Sequence, residues 1–493
     1  PLVSFSKEIS DAALRAIVES RARLDPDYPS FHVAPPVGRL NDPNGLVVID
    51  GVYHVFYQFG PFFPHEKAIY WGHATSTDLL AWQHHAPAIP PSEWYDRNGV
   101  YSGCAVVRDG VVWLHYTGNV KDDQGRRESY QCAVTTTDFE TFAKLDANPL
   151  ISGPPLGYTA HIRDPYIVPD ADGYAMYLGA QRSDNTGCVL VYRSGDLIDW
   201  QWMGELTFPD DRYATFGYMW ECPNLLRLTD ADTGEEFDVL FILPQGVGPI
   251  GDQFRNIFAC GYMVGHLDGT RFTPFSEFTE LDSGFEFYAP QVFTVGPGEP
   301  EQPALLVGWL GNASEDNQPS LADYGWVHAL SIPRDLSLRS GRLHQLPRRI
   351  AGEPTVLSIA GRSLDGAAFA IGELDDVRSF ILDLEIDQTQ DWTLQLGKSG
   401  GAQVILAFER GTLTVDRSTT RYPHGDSRRV RIPDLDRLVV TVVHDRSVTE
   451  VFVSDGHTAF SLRSYLDPDG FQVAITGRVG VNAATATILE SPQ

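Results

Sequence analysis

The stretch Gly51-Val52-Tyr53-His54-Val55-Phe56-Tyr57 is an apolar run bounded by turn residues, and similar runs follow it at intervals of roughly 60 residues. The later runs lie at residues 110–116, 173–178, 237–243 and 304–310. Alternating apolar positions, frequent β-branched and aromatic side chains, and Gly, Asp and Pro between the runs indicate strands rather than helices. Five such repeats predict a five-bladed β-propeller. The alternative interpretation is coincidental similarity among the strands of a β-sandwich.

A second element repeats behind the first four runs, where an aspartate is followed four positions later by an aromatic residue. The pairs are Asp78 with Trp82, Asp138 with Phe142, Asp196 with Trp200 and Asp268 with Phe272. The corresponding Asp335 behind the fifth run lacks the aromatic residue. The pattern therefore supports a true repeat that is less regular at its end.

The chain divides into three parts. Residues 1–30 form an N-terminal helical extension, because apolar residues have helical spacing from about Ile9 to Leu24 and Ser10 or Asp11 is a candidate cap. The propeller is expected to cover residues 31–349. In residues 350–493 the aromatic-rich repeat stops and short strands alternate with turn clusters, which predicts a β-sandwich. The predicted fold class is all-β.

Composition excludes several classes of partner. The 493 residues carry a formal charge of -28, which disfavours nucleic acids and anionic membranes, and no stretch of 18 apolar residues predicts a membrane span. The five cysteines are widely spaced and odd in number, so we expect buried thiols rather than disulfides or a metal cluster. The chain begins with Pro1, which leaves room for a removed leader. Secretion is slightly favoured over a cytoplasmic location.

Carboxylates lie at matching places in the repeat. Asp42 and Asp164 each precede the next run by nine residues, and Ser102 has the same offset. Glu221 precedes its run by sixteen residues, and a lengthened hairpin loop at residues 229–236 accounts for the difference. These side chains belong to the strand before each run, which is the innermost strand of a propeller blade. We therefore expect them to meet in one axial funnel.

Such a group of acids is suited to hydrolysis of a glycosidic bond. The reaction needs a carboxylic acid to protonate the leaving oxygen and a carboxylate to attack the anomeric carbon or activate water. Glu221 has apolar neighbours suited to a proton carrier, which favours it as the acid and Asp42 as the nucleophile. Arg163 is expected to keep its neighbour Asp164 ionised. Neither a metal nor a cofactor is needed for this chemistry.

Seven ordered motifs resemble those of glycoside hydrolase family 32, which contains invertases, inulinases and levanases. They are Asn41-Asp42-Pro43-Asn44-Gly45, Phe56-Tyr57-Gln58, Trp71-Gly72-His73-Ala74, Tyr101-Ser102-Gly103, Arg163-Asp164-Pro165, Glu221-Cys222-Pro223 and Phe287-Tyr288-Ala289-Pro290-Gln291. The later segments 308–309, 343–347 and 451–456 are also similar to family signatures. The resemblance thus covers nearly the whole chain.

The resemblance implies a five-bladed propeller with a C-terminal β-sandwich that releases fructose from β-fructofuranosides with retention of configuration. It implies that Asp42 is the nucleophile, that Glu221 is general acid and then base, and that Asp164 stabilises the transition state by binding fructose hydroxyls. Further residues are expected to line the fructosyl pocket: Asn41, Gln58, Trp71, Ser102, Arg163 and, less directly, Tyr101.

Three departures from the family pattern affect the side of the site that binds the leaving group. Arg39-Leu40 replaces the usual Trp-Met, and Glu66-Lys67 replaces a Trp-Gly. Glu286 replaces the usual Asp before Phe287, and the longer acid is expected near the same side. Charged groups at these places favour hydrogen bonding to a small sugar over stacking of a long fructan.

The predicted substrates are therefore sucrose and short fructo-oligosaccharides, and the oligomeric state is left open. Because water and sugars compete for a covalent intermediate, a fructosyltransferase is the second enzymatic hypothesis. Exo-inulinase or levanase activity, an arabinan-type hydrolase and a non-catalytic fructan-binding propeller are further alternatives. The last is disfavoured because all three acidic positions are occupied.

Overall fold

The computed structural model describes residues 2–349, 352–387, 390–434 and 436–490. The N-terminal helix covers Leu2–Val18 and is followed by a 3-10 turn at Ala22–Leu24. A helix is present as predicted, but it begins and ends earlier in the chain than predicted. Ser10 and Asp11 therefore lie inside it rather than at its N-terminal cap. Ile9, Ala13 and Ile17, spaced four residues apart, pack against the propeller core.

Five antiparallel sheets follow, which we name blades 1 to 5 in chain order. Blade 1 contains Gly38–Ile49, Val52–Gly60, Tyr70–Ser76 and Gln83–His84, and blade 2 contains Val100–Arg108, Val111–Lys121, Arg127–Thr136, Ala143–Lys144 and Ile151–Ser152. Blade 3 contains Tyr158–Asp170, Gly173–Arg182, Gly187–Ser194 and Gln201–Glu205, and blade 4 contains Met219–Thr229, Glu236–Gln245, Gly261–Asp268, Arg271–Pro274 and Thr279–Glu280. Blade 5 contains Tyr288–Val292, Leu305–Trp309, Arg334–Arg339 and Arg342–Pro347.

The blades close into a ring around one axis. The first strand of each blade contacts the first strands of both neighbouring blades, and blade 5 contacts blade 1 in the same way. Two short strands, Thr294–Val295 and Trp326–Val327, pair in parallel with the first strand of blade 1 and complete the closure. The five-bladed propeller is confirmed, and the first strand of each blade is the innermost one.

The repeated aspartates have a local structural role. Asp78 Oδ1 accepts hydrogen bonds from the backbone N–H groups of Leu80 and Ala81, both at 2.9 Å. Asp138 and Asp196 form the same turn in the next two blades. These bonds satisfy backbone donors between the third and fourth strands, which explains why the aspartate returns in blades 1 to 3.

The C-terminal region is a sandwich of two antiparallel sheets, as predicted. One sheet contains Thr355–Val356, Arg362–Ser363, Ser379–Asp387, Arg437–Asp445, Val448–Val453, Thr458–Arg463 and Gly480–Ile488. The other contains Phe369–Ala370, Trp392–Gly397, Gln403–Glu409, Thr412–Asp416, Ser427–Arg431 and Gln472–Gly477. Alternating Leu, Ile and Val residues of the two sheets form a separate hydrophobic core.

Buried ion pairs connect the propeller to the sandwich, and we call this region the junction. Arg334 of blade 5 is fully buried and donates to Glu450 at 2.7 Å and Asp282 at 3.1 Å. His32 lies between Asp445, at 2.8 Å, and Glu450, at 2.6 Å. All five cysteines are free and buried, as expected. Within the described residues, no helix is both long and apolar enough to cross a membrane.

Candidate active site

The innermost strand of every blade contains a β-bulge, where two residues oppose one on the next strand. The bulged pairs are Asn41-Asp42, Tyr101-Ser102, Asp164-Pro165, Cys222-Pro223 and Ala289-Pro290. Bulges redirect side chains and are frequent near active sites. Asp164 has a φ of 66° and Cys222 a φ of 45°, values that are rare for residues other than glycine.

The bulges place the three predicted acids in one cavity of about 530 Å³. Asp42 belongs to blade 1, Asp164 to blade 3 and Glu221 to blade 4. Five more predicted residues line the same cavity: Asn41, Gln58, Glu66, Tyr101 and Arg163. The acids do not lie at identical positions, because Glu221 is the last paired residue before its bulge whereas Asp42 and Asp164 lie within theirs.

Two predicted pocket residues lie behind the cavity wall. Ser102 is buried and contacts Asp42 through its hydroxyl rather than lining the cavity. Trp71 is fully buried, packs near Phe56, and donates from Nε1 to the backbone oxygen of Tyr101 at 2.9 Å. We expected Trp71 in the pocket wall, but it lies in the core. From there it supports the backbone of Tyr101, which does line the cavity.

Glu286 does not lie near the leaving-group side of the site. Its side chain is fully buried, and its two oxygens accept from Arg417 of the sandwich at 2.6 and 2.9 Å. Glu286 also accepts the backbone N–H of Arg463 at 2.9 Å. The residue is therefore part of the junction, where a buried carboxylate requires a paired cation.

A chain of hydrogen bonds orients the carboxyl group of Asp42. Ser102 Oγ donates to Oδ2 at 2.6 Å, and Asn41 Nδ2 lies 3.2 Å from Oδ1. Gln58 connects these two partners, because it accepts from Asn41 at 2.6 Å and donates to Ser102 at 2.9 Å. Burial raises the pKa of Asp42 and the nearby Glu221 raises it further, while the bond from Ser102 opposes the shift.

Glu221 is held by donors on both of its carboxyl oxygens. Arg163 lies 2.9 Å from Oε2 through Nη2 and 3.0 Å through Nε. Gln245 Nε2 and the Tyr288 hydroxyl each donate to Oε1 at 2.7 Å. We expected Arg163 to pair with its neighbour Asp164. In the structure it forms an ion pair with Glu221 instead. Tyr288 belongs to a recognised motif, whereas no sequence signal identified Gln245.

No cation among the described residues contacts the carboxyl group of Asp164 directly. Its Oδ2 accepts the backbone N–H of Cys222 at 3.0 Å and lies 3.5 Å from the Cys222 thiol, which is also 3.8 Å from Asp42. Burial and the charge of Glu221 raise the pKa of Asp164 to about 7, and Arg163 only partly opposes this. The carboxyl group of Asp164 can therefore hold a proton near neutral pH.

Charged and aromatic residues form the rim of the cavity. Arg39, Lys67, Arg127 and Asp316 line it together with Phe63 and Trp309. Arg39-Leu40 stands in place of the usual Trp-Met, and Glu66-Lys67 in place of the usual Trp-Gly. Arg39, Glu66 and Lys67 thus add charge to the cavity wall, as expected. Among the described residues, no group of three or more His, Cys, Asp or Glu is arranged to hold a metal ion.

Family models match both parts of the chain. The model described as glycosyl hydrolases family 32 N-terminal domain matches residues 32–347, and that described as glycosyl hydrolases family 32 C terminal matches residues 361–489. A sucrose-6-phosphate hydrolase of Bacillus subtilis is 34% identical over 481 residues, covering 96% of both chains. A sucrose-6-phosphate hydrolase of Klebsiella pneumoniae is 37% identical over 465 residues, covering 92% of both.

Solved structures of a sucrose-6-phosphate hydrolase and a GH32 β-fructofuranosidase are also similar to this chain. The sucrose-6-phosphate hydrolase of Lactobacillus gasseri superimposes with a TM-score of 0.83 at 27% identity, covering 96% of each chain. The GH32 β-fructofuranosidase of Bombyx mori has a TM-score of 0.79 at 28% identity, covering 99% of this chain and 100% of that one. A variant of the silkworm enzyme, with a TM-score of 0.77 at 28% identity and 98% and 96% coverage, is in complex with sucrose.

Proposed function

Because the chain belongs to glycoside hydrolase family 32 and is a glycosidase for sucrose-type fructosides, we propose that it is a retaining β-fructofuranosidase. The observation that supports this most is the placement of Asp42 and Glu221 in one cavity with different partners. Within the part of the chain that the structure describes, the hydrogen-bond donors to Asp42 are neutral, and neutral donors leave a carboxylate nucleophilic. Glu221 contacts Arg163, Gln245 and Tyr288, which hold its carboxyl group in one orientation.

In the proposed reaction Asp42 attacks the anomeric carbon of the fructosyl group while Glu221 protonates the departing glycosidic oxygen. The bond to the leaving sugar breaks and an ester between Asp42 and fructose forms. Glu221, now ionised, then removes a proton from water, which attacks the same carbon and releases fructose. We assign Asp164 to the fructose hydroxyls, since it lines the same cavity as the other two acids.

Sucrose 6-phosphate is a second candidate substrate besides sucrose. The two similar bacterial relatives named above are sucrose-6-phosphate hydrolases. Lys67 and Arg127 line the cavity, and no ion pair to either side chain is found within the part of the chain that the structure describes. Unpaired cations of this kind attract a phosphate, although Glu66 in the same wall weakens the attraction.

The polymer-degrading alternatives are less well supported. Charged Arg39 and Glu66 occupy positions where the resemblance leads us to expect aromatic residues, so a fructan chain has fewer apolar surfaces to stack on. Transfer to a second sugar uses the same intermediate, so fructosyltransferase activity remains an alternative that depends on the acceptor.

The test is release of glucose and fructose from sucrose, sucrose 6-phosphate, inulin and levan, with Asp42→Ala and Glu221→Gln beside the wild type. We expect both sugars from sucrose or its phosphate, slower release from the polymers, and near-complete loss in both variants. Arg212→Gln, which breaks an exposed ion pair to Asp210, is the matched control and should retain activity. Excess glucose over fructose would indicate transfer, and active Asp42→Ala would refute the proposal.

A further inference from the structure

Arg39 is held rigidly at the rim of the cavity. Its Nε donates to Asp316 at 2.8 Å and its Nη1 donates to Asn41 Oδ1 at 2.8 Å. The guanidinium carbon lies 5.4 Å from the ring centre of Trp309 and 5.8 Å from that of Phe63. Nη2 has no hydrogen bond to any described residue. One nitrogen of a side chain that lines the cavity is therefore available to a ligand.

Asp316 is itself fixed from behind. His328, which is fully buried, lies 2.7 Å from Asp316 through Nε2, while its Nδ1 faces the Gln318 amide at 3.5 Å. Burial lowers the pKa of His328 to about 4, so the ring is neutral and donates from Nε2. Hydrogen bonds from His328 and Arg39 outweigh burial and hold the pKa of Asp316 well below its usual range. Asp316 therefore stays ionised and offsets the charge of Arg39.

We propose that Arg39 determines leaving-group specificity, with Nη2 donating a hydrogen bond to a hydroxyl oxygen of the departing sugar. This inference rests on the proposed function. Two edges of the guanidinium are occupied by Asp316 and Asn41, so the bidentate geometry that recognises phosphate is blocked. Arg39 thus selects a neutral, hydroxyl-bearing leaving group, whereas a phosphate would depend on Lys67 and Arg127.

Arg39 also positions the nucleophile. Because Nη1 can only donate, the oxygen of Asn41 must face Arg39, and Asn41 Nδ2 must then face Asp42 and Gln58. A test therefore has to separate recognition of the leaving group from this positioning effect. Methyl β-D-fructofuranoside separates them, because its methyl leaving group has no hydroxyls for Arg39 to bind.

The experiment compares kcat/KM of Arg39→Gln, Asp316→Asn and the Arg212→Gln control on sucrose, methyl β-D-fructofuranoside and sucrose 6-phosphate. We expect Arg39→Gln to lose about tenfold or more on sucrose, mainly through KM, because a hydrogen bond from a charged donor is lost. On the methyl fructoside the same variant should lose clearly less. Asp316→Asn should raise the ratio of sucrose 6-phosphate to sucrose turnover, since Arg39 then keeps its full charge.

Equal losses of Arg39→Gln on sucrose and the methyl fructoside, or no loss on either, would overturn the inference. If Arg39→Gln fails to fold, judged by thermal unfolding, an unchanged phosphate-to-sucrose ratio in Asp316→Asn overturns it instead. An inactive wild type on every fructoside would refute the proposed function itself. If the wild type is active and neither variant changes the relative kcat/KM values on the three substrates, only the role of Arg39 is refuted.

Discussion

The axial cavity and the junction both bury carboxylates, but they give them different partners. At the junction, Asp445 and Glu450 are buried, yet His32 and, for Glu450, Arg334 outweigh the cost of burial and lower their pKa values. In the cavity, burial and neighbouring acids raise the pKa values of Asp42 and Asp164.

The difference in partners distinguishes carboxylates with a structural role, at the junction, from carboxyl groups with a chemical role, in the cavity. Asp445 and Glu450, which contact His32 and, for Glu450, also Arg334, stay ionised and connect the propeller to the sandwich. Asp42 and Asp164 share a cavity and have raised pKa values, so they are suited to gaining and losing protons, which is what acid–base catalysis requires.

The largest effect is expected when the two principal cavity acids are changed separately. Asp42→Asn and Glu221→Gln should each lose at least about a thousandfold in kcat on sucrose. On β-D-fructofuranosyl fluoride, whose leaving group needs no proton, Glu221→Gln should recover formation of the intermediate and Asp42→Asn should not. Steady-state and burst kinetics on both substrates provide the measurement. Equal recovery in both variants would contradict the division of roles.

At the junction, Arg334→Met should lower stability without changing the site. Removing a fully buried cation leaves Glu450 and Asp282 partly uncompensated, which costs on the order of 3–5 kcal/mol. Denaturant unfolding measures the loss, with Arg212→Met as the exposed control. A loss below about 1 kcal/mol would show that the junction pairs contribute little.

His32 should give the junction a pH dependence of opposite sign to that of its carboxylates. Burial lowers its pKa, but bonds to Asp445 and Glu450 raise it to about 9 in the folded protein, from an ordinary value of 6.5. Its contribution is therefore complete below pH 6.5 and lost as the pH rises through about 9. Unfolding experiments across that range should show a loss of a few kcal/mol in the wild type that His32→Asn lacks.

In the cavity, Ser102→Ala should move the acidic limb of the kcat/KM profile to higher pH. The hydroxyl of Ser102 donates to Asp42 at 2.6 Å and holds the pKa of that carboxyl down, so its removal lets the pKa rise. The nucleophile is then ionised only at higher pH. A limb that stays in place or moves to lower pH would mean that Asp42 does not control it.

The sequence predicted the architecture and most of the cavity because both repeat locally. Alternation within each run defined the strands, and the common offset of Asp42 and Asp164 from the next run placed them on innermost strands. The β-bulge in the innermost strand of each blade could not be predicted, since a bulge depends on the register of the partner strand.

Contacts between distant parts of the chain were the ones that sequence reasoning missed. Arg163 pairs with Glu221 across two blades rather than with its neighbour Asp164. Glu286 pairs with Arg417, 131 positions away. The residue type alone did not indicate whether Glu286 lies in the active site or at the junction. Trp71 was misplaced because an aromatic residue in a motif can support a wall from behind as well as form it.

The most direct test of the central claim is to trap the intermediate. Glu221→Gln is mixed with β-D-fructofuranosyl fluoride, and the protein is quenched, digested and analysed by mass spectrometry. We predict one added fructosyl unit on the peptide that contains Asp42. A fructosyl unit on another carboxylate, or turnover of the fluoride to inverted product with no adduct, would contradict the account.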